Sequence, residues 1–243
     1  DSVSLLLAIV ALAAGMYFDG LRLQRLVKIG GYKLSIQAVL RVIFSNYFMA
    51  MLTPGASGGA VAQVLVLKSY GVPISKGTPI VLIRTVFSIM FLVIMLPLVF
   101  LRDAIEIPYI SRDMLLLFAV LAVIATLLGT YILQTKYMRQ FVYNLAQRFK
   151  AHKTKDWLSK LETLNQGLGL LYKEPIQSVI VFFESGLSLL CLYCIAPALM
   201  YAFTPDIPII DILNRMILLN LILYFAPTPG GTGIAEGLFV VLF

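Results

Sequence analysis

Long apolar segments constrain the fold of this chain more than any other feature. Residues 78–101, TPIVLIRTVFSIMFLVIMLPLVFL, carry one charged side chain, and a helix of about 20 residues is long enough to cross a membrane. In lipid, only helices and closed barrels satisfy every backbone polar group. The sequence therefore predicts an all-α fold, a polytopic membrane helix bundle, with 1–243 as a single integral membrane domain. Similar segments lie at 3–19, 114–134, 176–202 and 209–226.

The composition supports this class and disfavours others. Hydrophobic residues make up 60% of the chain, charged residues 13%, and the mean hydropathy is +0.93, which is more apolar than a soluble core requires. His152 is the only histidine, and Cys191 and Cys194 lie within an apolar segment, so we expect no metal site and no cofactor. Basic residues accompany no aromatic nucleic-acid motif, so we expect no nucleic-acid partner. Because the chain begins at Asp1 and ends at Phe243 within an apolar run, we expect a fragment of a longer protein.

Basic residues indicate which loops stay in the cytoplasm. The stretches 20–33 and 135–175 are rich in lysine and arginine, whereas 102–113 and 203–211 are not. We therefore expect the first two to be cytoplasmic and the last two to face outward. Within 135–175, apolar residues recur at helical spacing among basic residues, which predicts amphipathic helices that rest on anionic headgroups.

Proline and glycine interrupt the apolar segment 35–70. Because the loop before it and the helix after it both start on the cytoplasmic side, this segment must enter and return on one side. It therefore predicts a re-entrant helical hairpin that turns at Pro54 to Gly59. Two full crossings would also satisfy this parity, but each arm is short. A second break, in the segment 209–243, is approached from the opposite face, which predicts two re-entrant hairpins in an inverted-topology repeat.

The two breaks share the pattern R-x4-N-x7 or x8-P-G-x-[ST]-G. Chance similarity between two glycine-rich apolar stretches is the alternative to a true repeat. The matching residues are Arg41, Asn46, Pro54, Gly55, Ser57 and Gly58 in the first copy, and Arg215, Asn220, Pro229, Gly230, Thr232 and Gly233 in the second.

A helix that begins in such a break has unpaired amides at its start, which need partners in hydrocarbon. The positive end of the helix dipole favours an anion such as a phosphate. The alternative is that proline and glycine only let short helices turn, with the two hydroxyl side chains as helix caps. The residues predicted to bind a lipid phosphate at the two tips are Ser57, Gly58, Gly59, Thr232 and Gly233.

Five charged residues lie within apolar segments, where each would cost about 2.5 to 3.5 kcal/mol if it faced lipid. They should therefore face the bundle interior, with snorkelling to the interface as the alternative for the first and fourth: Arg41, Arg84, Glu184, Arg215 and Glu236. Arg84 is the main candidate for the phosphate, because guanidinium stays charged and binds phosphate in a bidentate manner. The alternative is an ion pair with Glu184 or Glu236. Glu236, with Glu184, is the candidate for binding a cationic headgroup or a coupling ion.

Two stretches resemble a known family. NYFMAMLTPGASGGAVAQVLVLKSYGVPISKGTPIVLIRTV and the later APTPGGTGIAEG are similar to the transmembrane region of lysylphosphatidylglycerol synthase and its stand-alone relatives in bacteria and archaea. The resemblance implies a flippase domain that moves lysyl-phosphatidylglycerol from the inner to the outer leaflet of the cell membrane. That transfer lowers the negative surface charge and gives resistance to cationic antimicrobial peptides. The soluble synthase domain of the family has no counterpart in this sequence.

Three functions follow as hypotheses. The first is a lipid translocase for an anionic or aminoacylated phospholipid; its candidate partners are membrane phospholipids, a lipid-modifying synthase domain or protein, and a second copy in a homo-oligomer. The alternative is a membrane-embedded enzyme or accessory subunit that acts on a polyprenyl-linked or glycosylated lipid, with Glu236 as general base. The third is a non-transporting anchor. The cargo, the direction of transport and its energy source stay open.

Overall fold

The structure is a computed structural model that describes residues 2–54, 56–102, 112–132, 169, 174–203, 208–224 and 226–243. Within these ranges the chain is helical and forms no β-strand. The all-α bundle predicted from the sequence is confirmed for this part of the chain. The helices are α1 (Ser2–Ile29), α2 (Ile36–Leu52), α3 (Ser57–Ser69), α4 (Ile74–Arg102), α5 (Arg112–Ile132), α6 (Pro175–Tyr193), α7 (Ile195–Met200), α8 (Ile209–Leu223) and α9 (Ile234–Leu242).

The helices follow the predicted apolar segments. α4 contains the segment 78–101, α5 covers most of 114–134, and 176–202 is divided between α6 and α7. Gly55 lies outside the described residues. The predicted amphipathic segment 135–175 also lies outside them, except for residues 169, 174 and 175. In the ranges that are described, three stretches are long and apolar enough to cross a membrane: Ser2–Ile29, Ile74–Leu101 and Pro175–Met200.

α1 continues well beyond the predicted segment 3–19. Most of the stretch 20–33, predicted as a loop, is helical as far as Ile29. Of the charges that suggested a loop, Arg22 lies inside the bundle, where its Nε and Asp19 Oδ1 form an ion pair at 2.5 Å, whereas Lys28 and Lys33 are exposed. At 28 residues and 1.5 Å per residue, α1 is about 42 Å long. It therefore exceeds the hydrocarbon thickness of about 30 Å and carries charged residues along its last turns.

α4 packs against helices from every part of the bundle. Its first half contacts α1 and α3, and its Ile80 and Ile83 belong to a core cluster that also includes residues of α2. Its second half contacts α6 and α8 through Leu92 and Val99, and α5 through Phe100. In a membrane such contacts hold helices together by van der Waals packing rather than by exclusion of water. α4 therefore holds Arg84, in its first half, within the interior of the bundle.

Two helix pairs carry the proline-glycine breaks. α2 and α3 form a hairpin over 36–69, and α8 and α9 flank the second break over 209–242. α2, α3 and α8 have 13 to 17 residues, fewer than the roughly 20 that a full crossing needs. Their re-entry into a membrane, and the opposite orientation of the two pairs, stay predictions.

Candidate functional site

The first break is a compact turn held by its own hydrogen bonds. The Ala56 N–H donates to the Thr53 carbonyl at 3.2 Å, and the Ser57 hydroxyl donates to the Pro54 carbonyl at 2.9 Å. Ala56 adopts a left-handed backbone with φ 51°, which residues other than glycine rarely do. The chain thereby reverses direction within a few residues between α2 and α3.

The second break contains the same turn at equivalent positions. The Gly231 N–H donates to the Thr228 carbonyl at 3.1 Å, and the Thr232 hydroxyl donates to the Pro229 carbonyl at 2.6 Å. Gly231 has φ 73° and lies two residues after the proline, as Ala56 does in the first break. The shared sequence pattern therefore corresponds to a shared backbone structure.

The helices that follow the two turns are capped by different side chains. The Gly58 N–H donates to the Thr53 hydroxyl at 2.8 Å, whereas the Gly233 N–H donates to the Glu236 carboxylate at 2.6 Å. The serine and threonine hydroxyls that the sequence suggested as caps bond to proline carbonyls instead. The amides of Gly58 and Gly233, which we expected to be open to an anion, thus already have partners within the chain.

The two breaks contact each other. Pro54 and Pro229 form an isolated antiparallel β-bridge. A β-carbon on Gly230 would lie 3.2 Å from the Met51 carbonyl oxygen, so the second break also approaches the last turn of α2. Proline has no N–H, so hydrogen bonds across the bridge must come from flanking residues. We call α2 and α3 with their break the first unit, and α8 and α9 with theirs the second unit. The two units therefore contact each other at their breaks.

Each unit also connects the arginine of its first arm to the end of its second arm. Arg41 Nη1 donates to the Tyr70 hydroxyl at 2.6 Å, and its guanidinium lies 5.9 Å from the Tyr70 ring centroid. Arg215 Nη1 donates to the Leu242 carbonyl at 2.7 Å, and its guanidinium lies 5.8 Å from the Phe243 ring centroid. Cation–π contacts of this kind contribute about 0.5 to 2 kcal/mol. The two arginines thus occupy matching structural positions.

Arg84 lies in a buried cluster of charged side chains. Its Nε and Nη2 atoms both donate to the Asp19 carboxylate, the Nε bond being 3.2 Å long, so the ion pair is bidentate. Arg22 Nε donates to the same carboxylate at 2.5 Å, and Arg22 Nη1 donates to the Ser88 hydroxyl at 2.8 Å. The exposed fractions are 0% for Asp19, 4% for Arg84 and 5% for Arg22. The cluster joins α1 to α4 inside the bundle.

Uncharged side chains extend the cluster into the first hairpin. Arg84 Nη1 donates to Gln63 Oε1 on α3, and Gln63 Nε2 donates to Asn46 Oδ1 on α2 at 2.7 Å. The counterpart of Asn46 in the second unit, Asn220, donates to a carbonyl of its own helix at 2.8 Å. The asparagine of the repeat therefore joins the charged cluster only in the first unit.

Two tyrosines lie beside the cluster, one from each unit. The Tyr47 hydroxyl on α2 donates to Asp19 Oδ2 at 3.4 Å. Tyr224 directly follows α8, and its phenol is close enough to Arg84 and Tyr47 to interact electrostatically with both. Tyr224 is 37% exposed, so its side chain is accessible at the surface beside the second break.

The two glutamates considered as partners of Arg84 have other contacts. Glu184 on α6 accepts from Arg25 Nε and Nη2 at 2.7 to 3.1 Å, and Arg25 Nη1 donates to Gln177 Oε1 at 2.7 Å. Glu236 is exposed and caps α9. The ion-pair alternative for Arg84 therefore holds with a different partner, Asp19. Among the described residues, no group of three histidine, cysteine or acidic side chains could hold a metal ion.

The cluster contains more positive than negative charge. Arg22 and Arg84 share the single carboxylate of Asp19, which leaves one net positive charge. The remaining buried charged residue in the described ranges, Glu184, is neutralised by Arg25. An unpaired charge inside a bilayer is costly, so an excess of this kind indicates a site for a group of opposite charge.

An apolar groove lies beside the first break. It is open, has a volume of about 550 Å³, and is lined mainly by apolar side chains of α2 and α3, among them Phe48, Val61 and Leu65. Ser57 and Gly58 line the groove near the break. A groove of this size and lining can hold a hydrocarbon chain.

Asp19, Arg22 and Gln63 are absent from the site residues predicted from the sequence. Asp19 and Arg22 are spaced i, i+3, so they share one face once α1 continues past the apolar run. That spacing was the available signal. Gln63 is uncharged, and its contact with Arg84 depends on how the first hairpin packs against α4, for which the sequence contains no direct signal.

Comparison with known proteins identifies the family. The family model described as lysylphosphatidylglycerol synthase TM region matches residues 1–243. No curated protein and no solved structure matches the chain. The family match covers the whole sequence and agrees with the helices that are long and apolar enough to cross a membrane. The chain therefore belongs to the family of the lysylphosphatidylglycerol synthase transmembrane region, and is a membrane protein.

Proposed function

We propose that this chain is a lipid translocase that carries the phosphate-bearing headgroup of a phospholipid through the bundle interior. Family membership supports a role in lipid modification or translocation, and the family description makes lysyl-phosphatidylglycerol one candidate cargo. The observation that carries the proposal is the excess positive charge of Arg22 and Arg84 around Asp19, in a bundle whose other buried charge among the described residues, Glu184, is paired with Arg25. Ionisable groups at such depth mark the paths of polar substrates.

The headgroup phosphate binds at the arginine cluster. Arg84 donates to the Asp19 carboxylate through Nε and Nη2, and a guanidinium binds phosphate with the same two-donor geometry. Arg22 Nη2 has no hydrogen-bond partner among the described residues, so it offers a donor before any existing pair breaks. The phosphate first contacts Arg22 and then replaces Asp19 as the hydrogen-bond partner of Arg84.

The breaks and the groove guide the rest of the lipid. Because the amides of Gly58, Gly59 and Gly233 are already bonded, these residues shape the tips, and the exposed Ser57 and Thr232 hydroxyls supply additional contacts to the headgroup. The apolar groove beside the first break holds one acyl chain while the other stays in the bilayer. In this proposal the two units form an inverted-topology repeat of re-entrant hairpins.

Lipid exchange in proteoliposomes tests the proposal. The probe is phosphatidylglycerol with a fluorescent acyl chain, and a reductant that cannot cross the membrane quenches only the outer leaflet. Arg84→Gln should slow exchange about tenfold or more, which corresponds to about 1.4 kcal/mol of lost headgroup stabilisation. Lys68→Gln removes an exposed positive charge from the end of α3 and should leave the rate within about twofold. Wild-type exchange by a correctly folded Arg84→Gln protein would refute the role of the cluster.

A disulfide between the breaks tests whether the tips separate during transport. Residues paired in an antiparallel bridge have Cα atoms about 4.5 to 5.5 Å apart, which is within the range of a disulfide. With Cys191 and Cys194 replaced by alanine, Pro54→Cys and Pro229→Cys should cross-link on oxidation. Exchange should then stop until a thiol reductant is added. Undiminished exchange by the cross-linked protein would contradict tip separation.

A further inference from the structure

We infer that Tyr193, together with Tyr47 and Tyr224, forms a subsite for hydroxyl groups beside the phosphate, which favours phospholipids whose headgroup is a polyol such as glycerol. This inference rests on the proposed function, because it concerns the part of the same headgroup that lies beyond the phosphate. The headgroup of phosphatidylglycerol has two free hydroxyls, and esterification with lysine leaves one of them free. The subsite therefore fits this lipid with or without the lysyl group.

Tyr193 is the last residue of α6 and lies in the bundle interior. It is 6% exposed and belongs to a core cluster with Leu92 of α4 and Ile217 of α8. Its hydroxyl has no hydrogen-bond partner among the described residues, although buried hydroxyls usually have one. The fully enclosed side-chain atoms that lack a partner in the described ranges belong to Asn214 and Thr228. The Tyr193 hydroxyl therefore borders open space, although the rest of the residue is buried.

The Tyr193 hydroxyl lies beside the arginine cluster. Arg22, Tyr47 and Tyr224 are all close enough to the Tyr193 phenol to interact electrostatically with it. The packing agrees, because Tyr224 comes seven residues, or about two turns, after Ile217, on the face of α8 that belongs to the same core cluster. The Tyr47 hydroxyl donates to the carboxylate that also accepts from Arg22. Phenols from α2, α6 and the end of α8 thus surround one guanidinium.

Arg22 borders open space in the same way. Its Nε and Nη1 atoms donate to Asp19 and Ser88, whereas Nη2 has no partner in the described ranges and is not fully enclosed. In the proposed function this Nη2 atom is the first donor that the lipid phosphate contacts. The headgroup atoms attached to that phosphate then lie next to the phenols around Arg22, where the Tyr193 hydroxyl needs a partner.

Phenol hydroxyls match the chemistry of a polyol. A tyrosine hydroxyl donates one hydrogen bond and accepts another, as an alcohol does. Because a phenol is uncharged at neutral pH, it distinguishes headgroups by their hydroxyls and not by their charge. A site that hydrogen-bonds a substrate hydroxyl discriminates against an analogue that lacks this hydroxyl, because polar groups of the site are then left unpaired. The three tyrosines are therefore specificity-determining residues of the path.

Exchange of two lipids that differ only in headgroup hydroxyls tests the inference. Phosphatidylpropanol has the charge and headgroup length of phosphatidylglycerol but no headgroup hydroxyl, and both lipids carry the same fluorescent acyl chain. Wild-type protein should move phosphatidylglycerol about tenfold faster. Tyr193→Phe should reduce this ratio to below about threefold by slowing phosphatidylglycerol alone. Tyr17→Phe makes the same change at a side chain that is 63% exposed and should preserve the ratio. Equal rates for the two lipids with wild-type protein would overturn the inference and leave the translocase proposal intact.

The stability of the lipid-free protein shows whether the Tyr193 hydroxyl is structural. Because this hydroxyl has no partner among the described residues, Tyr193→Phe should leave the thermal unfolding midpoint in detergent unchanged or raise it. A midpoint clearly below that of wild type would show that the hydroxyl stabilises the fold, and would overturn its assignment to the headgroup.

Lipid-induced shifts of the same midpoint separate failure of the inference from failure of the proposed function. Added phosphatidylglycerol should raise the midpoint of the wild-type protein more than phosphatidylpropanol does, and Tyr193→Phe should lose most of the difference. If neither lipid is exchanged but this preference persists, the translocase proposal fails and the hydroxyl subsite stands. Equal shifts by the two lipids would overturn the inference. Glycerol 1-phosphate as effective as the lipid would overturn the assignment of the subsite to a lipid headgroup.

Discussion

Replacement of Asp19 by asparagine should destabilise the protein more than replacement of Arg84 by glutamine, although each removes one partner of the same ion pair. The reason is the charge that remains. Asp19→Asn leaves Arg22 and Arg84 buried without a counter-charge, a net charge of two. Arg84→Gln leaves Arg22 paired with Asp19, and the cluster becomes neutral.

The magnitudes follow from the contacts of each residue. Removal of one partner of a buried ion pair costs about 3 to 5 kcal/mol, because an unpaired charge stays behind. Arg84→Gln loses its bonds to Asp19 and Gln63, a cost of about 1 to 3 kcal/mol for buried groups left partly unsatisfied. The difference of about 2 kcal/mol corresponds to about 4 to 8 °C in unfolding midpoint for a domain of 150 to 250 residues.

The assay is loss of the monodisperse peak in size-exclusion chromatography after heating in detergent, with all variants heated for the same time because unfolding of such proteins is often irreversible. Lys68→Gln is the control and should shift the midpoint by less than about 1 °C, because its side chain is exposed. A midpoint for Arg84→Gln at or below that of Asp19→Asn would refute the excess of buried positive charge. The anion site of the proposed function would then lose its physical basis.

Two further predictions compare residues of the first unit with residues of the second. Thr53→Val should lower the free energy of unfolding by about 1 kcal/mol, because the Gly58 N–H loses its cap. Thr228→Val should leave it unchanged or raise it, since the buried Thr228 hydroxyl has no hydrogen-bond partner among the described residues. Chemical or thermal unfolding of both variants measures the difference, and equal losses would contradict the prediction. Gly59→Ala should lower the free energy of unfolding by about 1 to 3 kcal/mol, because the added β-carbon would lie 2.6 Å from a side-chain oxygen of α2. Gly237→Ala should leave it unchanged or raise it slightly by the same measurement, because no atom lies within 4 Å of the added β-carbon.

The helices and the turns could be predicted because their causes are local. Apolar segments as long as 78–101 have to be helical in lipid, and proline and glycine at fixed spacing produce the same turn at both breaks. The end of α1 could not be predicted in this way. Charged residues after an apolar run usually mark the membrane surface, but Asp19 and Arg22 stay inside because α4 supplies Arg84 as a third partner.

The site could be predicted only in part, because its contacts depend on which helices are neighbours. The sequence indicated that Arg84 has to face the interior, since a lone guanidinium is costly in lipid. It did not indicate that α1 would supply the carboxylate, or that Gln63 would connect Arg84 to the first hairpin. Glu184 was considered with Arg84, yet it pairs with Arg25, because α1 and α6 pack side by side.

The unequal helix caps of the two breaks have a consequence for how the two halves can evolve. The turns share one backbone geometry, but the first following helix depends on the hydroxyl of Thr53 and the second on the carboxylate of Glu236. A substitution that is silent at one position would therefore be harmful at its counterpart. Despite a common architecture, each half is under its own mutational constraints, and neither sequence could simply replace the other.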